Sequence, residues 1–272
     1  LVGASRIQLG LEPGRFRAQS GREAVMLAVD GNPPMAVLAD LANDPEFTGS
    51  VIVGFVPMLF AEAAAEAGAE DRRVRKWLRN YRRQTWSSRL ETDLRIRVQE
   101  RFVFRYPGLA PARIWAHLME GTVPRLNYAP MRIDRYRAAD YDLIDIDRLK
   151  AARTRRELRR RQEAQPLSAE RFEKRIRELS LLVRQIQAKG GRVAFVRMPS
   201  VGVVRRVEAD IWPRARYWDR LANRISVPFV HFEDYPSLSR FDCPDGSHLG
   251  AADAQLFTAD LVNVLKAADF FN

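Results

Sequence analysis

The chain has 272 residues, 46% of them hydrophobic, enough to bury one large core. A net charge of +11 implies attraction to polyanions such as an anionic membrane surface, an acidic polysaccharide or nucleic acid, without choosing among them. The single cysteine, Cys243, excludes an intrachain disulfide and a cysteine-based zinc site, and no apolar run is long enough to span a bilayer.

The sequence begins at Leu1, already inside an apolar run, so we read it as a fragment or processed form with room for an anchor or signal upstream. Short apolar, β-branched runs recur at 1–4 (LVGA), 24–29 (AVMLAV), 50–56 (SVIVGFV), 192–198 (RVAFVRM) and 227–232 (VPFVHF). Each is bounded by turn residues and reads as a buried strand. Between the second and third, PPMAVLADLAND at 33–44 predicts a helix with proline near its start. The third and fourth runs are separated by residues 57–191, far more than a parallel crossover needs.

We place an insertion at 58–165. It is basic and rich in aromatics (RRVRKWLRNYRRQTW, RFVFRYPGLAPARIW), mainly helical in pattern, with a Pro-, Tyr- and Asp-rich break at 123–141. Its densest charge run, RTRRELRRRQEAQ at 153–165, would be polar almost all round as a helix and reads as a solvated face or a docking surface. The next helix is expected from a Ser168 cap to a stop at Gly190-Gly191. No internal repeat is present. Strands alternating with helices predict a single α/β domain over 1–272, built on a mainly parallel sheet of five strands.

In such sheets ligands bind beyond the carboxyl ends of the strands. The residues found there are Ser5-Arg6, Asp30-Gly31-Asn32, Val56-Pro57, Arg197 to Ser200 and, beyond the last strand, Asp245-Gly246-Ser247-His248. A serine hydroxyl attacks only when a base takes its proton, and that base needs a partner to fix its tautomer. Ser5, His248 and Asp245 supply nucleophile, base and orienting acid. The backbone N–H groups of Ser5 and Gly31 are candidate donors to the oxyanion.

GASR after the first strand, a glycine after the second and DGSHL leading into the last helix resemble the SGNH (GDSL-like) hydrolase superfamily. More narrowly, the chain resembles bacterial cell-envelope SGNH-like proteins related to polysaccharide O-acetyltransferases. The likeness covers the strand framework at the two ends of the chain and not the insertion. It implies a flavodoxin-like three-layer α/β/α fold and ester hydrolysis or acyl transfer on carbohydrate at the bacterial cell envelope. By carry-over it makes Ser5 nucleophile, His248 base and Asp245 its acid, with Gly31 in the oxyanion hole.

Two positions depart from the family. Its aspartate before the serine is Ala4 here, and its Gly-x-Asn-Asp block is matched by VGFVPMLF, which holds no asparagine. One lost oxyanion donor typically costs about 10²–10³ in turnover. Asn32 could supply an amide in its place. Arg197, with Arg6, is a candidate contact for an anionic substrate or intermediate. The alternative reading is a catalytically inactive SGNH-like module that binds a glycan or a membrane-associated partner through its basic surface.

The remaining signals read as structural. His231 follows a strand run and His117 lies on a helical pattern, and the three histidines have no metal-ligand spacing. We therefore expect neither metal nor cofactor. Interleaved arginines and rings can bind single-stranded nucleic acid, but Trp77, Leu78 and Tyr81 fall at helical spacing and no nucleic-acid module is present. A membrane surface or membrane-protein partner fits the insertion better than nucleic acid does.

Overall fold

The computed structural model describes residues 1–62, 69–101, 111–121 and 127–271. Residues 102–110 of the arginine-aromatic stretch and 123–126 of the break lie outside the described residues. The architecture is α/β. Strands β1 (Ser50–Gly54), β2 (Arg192–Arg197) and β3 (Phe229–His231) form a parallel sheet in that order. Side chains alternate between its faces, with Val51, Val53, Val193 and Phe195 in one core and Ile52, Ala194, Val196 and Val230 in the other. Both faces are buried, which is why the runs read as continuously apolar.

Among the described residues the sheet has three regular strands, and the two N-terminal runs lie alongside it without forming regular strands. Val2 makes a lone parallel bridge to Val53, its N–H donating to Ile52 O while Gly54 N–H donates to Val2 O, each at 2.8 Å. The chain then turns into helix α1 (Ser5–Gly10), which ends the pairing after one bridge. Residues 24–29 run beside this segment, with Leu27 N donating to Leu1 O (2.8 Å) and Val29 N to Gly3 O (2.9 Å). They are extended and hydrogen-bonded without completing a ladder.

Helices cover both faces. On one side, α3 (Met35–Asn43), α4 (Pro57–Ala61), α9 (Ala169–Ala188) and α11 (Arg214–Ala222) pack against the sheet. On the other lie α1, α2 (Pro13–Ser20), α12 (Pro236–Ser239) and α13 (Ala251–Ala267). The expected Ser168 cap is made, its hydroxyl accepting from Arg171 N at 3.3 Å. Phe172, Ile176, Leu179, Val183 and Ile186 of α9 then form one buried stripe. Helix α10 (Gly202–Ile211) follows β2.

Between β1 and α9 lie α5 (Ala69–Arg82), α6 (Trp86–Arg101), α7 (Pro111–Met119) and α8 (Ile146–Glu163). The two ends of this stretch meet, since Glu62 bridges Pro166 and Leu167 N donates to Ala61 O at 2.8 Å. Residues 127–141 cross the carboxyl edge of the sheet, where Arg137 N donates to Gln8 O (3.1 Å) and Ala251 N to Ala139 O (2.9 Å). Among the described residues no helix is long and apolar enough to cross a membrane.

Candidate active site

Residues from opposite ends of the chain meet at the carboxyl edge of the sheet. Ser5 Oγ lies 2.9 Å from His248 Nε2, and His248 Nδ1 lies 2.7 Å from Asp245 Oδ2. An ionised carboxylate only accepts, so Nδ1 carries the ring proton and Nε2 presents its lone pair to the serine hydroxyl. Burial alone would raise the Asp245 pKa. The hydrogen bond from His248, the charges of His248 and Arg153 and the Ser247 N–H together hold it well below the usual carboxylate range.

Local structure fixes each partner. Ser5 is the first residue of α1, and that helix sits unusually close to β1. A Cβ on Gly54 would come within 2.2 Å of Ile7 Cγ1, so only glycine admits this approach. Asp245 and His248 are set by a tight turn in which Gly246 adopts φ 84°, with Gly246 N donating to Cys243 O at 2.7 Å. Asp245 Oδ1 accepts from the N–H of Ser247 (2.9 Å) and of His248 (2.8 Å), which orients the carboxylate. Val201 N donates to Gly246 O at 3.0 Å and ties the turn to the segment leaving β2.

Ser5 and Gly31 each lie two residues beyond the bonded pair Gly3 and Val29, at one edge of the sheet. Among the described residues neither the Ser5 nor the Gly31 N–H has an acceptor. Asn32 is buried, and its Nδ2 donates to Asp30 O at 2.6 Å. One of its two amide hydrogens is thus committed to bracing its own turn.

Arg6 and Arg197, expected to contact substrate, are instead withdrawn into the protein at 6% and 3% exposure. Both bind Glu208 of α10, through Arg6 Nη2 at 2.6 Å and Arg197 Nη2 at 2.5 Å. Ser200 Oγ adds a bond to Glu208 at 3.0 Å, and Arg6 Nε donates to Ser247 Oγ at 3.2 Å. A guanidinium in a strand-end position is buried only with a carboxylate to meet it. Burial would push Glu208 up, but Arg197 and Arg6 outweigh it and hold the group at about 2. The network joins the residue after Ser5 to the residue before His248.

Glu208 escaped the sequence reading although it left a trace: it occupies the buried stripe of α10 with Val204 and Val207. An acid on an apolar face signals a buried partner. Two further contributors come from the insertion. Tyr141 donates its hydroxyl to His248 O at 3.2 Å and stands against Tyr128, with ring centroids 5.4 Å apart. Burial, reinforced by Asp245, pushes the Tyr141 phenol far up, so it acts as a donor. Arg153 of α8 donates from Nη2 to Asp245 Oδ2 at 2.9 Å.

His231 ends β3 buried against Trp218 and Phe232, and its Nδ1 accepts from Glu233 N at 3.2 Å. Burial, with Arg214 and Arg197 nearby, holds it neutral at about 3. His117 lies on α7. Among the described residues no group of three His, Cys, Asp or Glu side chains could hold a metal ion. The chain matches no family model, no curated protein and no solved structure.

Proposed function

We propose that the protein is a serine-dependent esterase or acyltransferase of the SGNH type, acting on acylated carbohydrate at the bacterial cell envelope. The observation that carries this reading is the unbroken Ser5–His248–Asp245 chain of hydrogen bonds, at 2.9 and 2.7 Å. The five-strand, flavodoxin-like version of the fold is part of the proposal. Segment 1–3, bonded to β1 on one side and to residues 24–29 on the other, supports it.

Ser5 Oγ attacks the acyl carbonyl as His248 Nε2 takes its proton, and Asp245 stabilises the imidazolium. The negative charge on the carbonyl oxygen is met by the Ser5 and Gly31 N–H groups. His248 returns the proton to the leaving alcohol oxygen. Water, or a sugar hydroxyl in a transferase, then attacks the acyl-enzyme and gives its proton to His248. Ser5 recovers its proton as the acyl group leaves.

The envelope setting is supported by exposed apolar side chains set among arginines in the insertion: Trp86, Leu90, Leu94, Trp115, Leu118 and Met119. These suit a membrane surface or a membrane-associated partner. A second reading is a non-catalytic module that binds a glycan or such a partner. The absent third-block asparagine and the engagement of Asn32 with Asp30 O favour it.

Turnover of a chromogenic acetyl ester separates the two. The first reading expects hydrolysis by the wild type and background rates for Ser5→Ala and His248→Ala. Activity that survives both substitutions, or is absent from the wild type, overturns it.

A further inference from the structure

Arg153 opens the charge run at 153–165, yet its side chain points into the site. Within α8, the less exposed positions Ile146, Leu149, Arg153, Thr154, Glu157 and Arg160 share one helical face. Arg153 is 18% exposed and its partner Asp245 is wholly buried. The carboxylate is fully used. Oδ1 accepts from the N–H of Ser247 and of His248, and Oδ2 is shared between His248 Nδ1 at 2.7 Å and Arg153 Nη2 at 2.9 Å.

Arg153 Nη2 also lies 3.5 Å from His248 Nδ1. Both nitrogens carry hydrogen when Asp245 is ionised, so this approach is no hydrogen bond. It becomes a contact between two cations once the imidazole is protonated. The other titratable or charged groups around His248 are Asp245 and Cys243 on its own segment, Ser5 and Arg6 on α1, and Tyr128 and Tyr141 from the insertion. Arg6 is already neutralised by Glu208. Among the described residues Arg153 is the cation that faces the Asp–His pair directly.

We propose that Arg153 is a positioning residue, lent to the site by the insertion, that anchors Asp245 and opposes protonation of His248. The inference rests on the serine-base reading of the site. An Asp–His pair alone favours the imidazolium, because the carboxylate charge is spent on the ring. A guanidinium on the same oxygen divides that charge and stands against the ring nitrogen, where it repels an imidazolium. The basic insertion thereby becomes part of the acid–base machinery.

NMR titration of the His248 ring in a Ser5→Ala background tests the role without needing turnover. Arg153→Gln, which removes the facing charge, is expected to move the His248 midpoint upward relative to the parent protein. Arg153→Lys, which keeps the charge, should restore most of the wild-type midpoint. Arg153→Met retains the packing stem and repeats the measurement should the glutamine variant fail to fold. An unchanged midpoint in a folded Arg153→Gln or Arg153→Met protein overturns the proposal.

The rate of Ser5 phosphonylation against pH supplies the second readout. The acid limb of Arg153→Gln should shift in the same direction as the ring titration. A fall in rate with no shift of the limb identifies a merely structural tether and contradicts the proposal. Absence of labelling in every protein contradicts the serine-ester reading instead, and the ring titration still decides the role of Arg153.

Discussion

At the residue scale, Asp245, His248 and Ser5 were legible because a serine after the first apolar run and an Asp-x-x-His before the last helix both fall where a parallel sheet gathers its strand ends. Arg6 and Arg197 are buried on Glu208, and their burial was illegible for a physical reason: an arginine near a strand end looks the same in sequence whether it faces solvent or a buried carboxylate. Glu208 decides between the two. Glu208→Gln would leave two buried guanidinium groups short of charge and should destabilise the protein by about 3–5 kcal/mol in chemical denaturation. The ordinary value of 4.5 is lowered to about 2 in the fold. The stabilisation is therefore full above pH 4.5 and is lost as pH falls through 2. The stability gap between wild type and Glu208→Gln should narrow over that interval, and a gap independent of pH contradicts the assignment. Asp245→Asn should cost on the order of 10³–10⁴ in acylation rate, since an amide can favour the wrong His248 tautomer.

At the element scale, helices α3 and α9 were legible from proline placement, the Ser168 cap and periodic apolar residues, because those signals are local. Strands β1, β2 and β3 were legible as buried runs. The N-terminal runs were not separable from them, since the same composition serves a hydrogen-bonded segment that forms a single bridge and no continuous ladder. The contact that most directly places Ser5 is equally silent in sequence. Gly54 lets Ile7 of α1 lie against β1, and Gly54→Ala would force Ile7 and the helix outward. Overpacking of this kind costs about 1–3 kcal/mol. Gly54→Ala should lower the melting temperature and slow Ser5 acylation together, whereas normal acylation in a less stable protein would separate helix seating from the site.

At the scale of the whole molecule, charge and composition set the stretch at 58–165 apart, and the chain on either side of it meets at Ala61, Glu62, Pro166 and Leu167. Its part in the site was illegible. Arg153 is one of many arginines in its helix, and nothing local distinguishes the one that meets Asp245. The net charge of +11 with exposed tryptophans predicts sedimentation with phosphatidylglycerol vesicles at low salt and release at high salt. Equal binding to phosphatidylcholine vesicles would contradict an electrostatic footing. The central claim is that Ser5, activated by His248, is a nucleophile. Its most direct test is mass-spectrometric mapping of the adduct left by a fluorophosphonate probe. The account predicts one phosphonyl group on Ser5, absent from Ser5→Ala and strongly slowed in His248→Ala; an unmodified Ser5, or an adduct elsewhere, would contradict it.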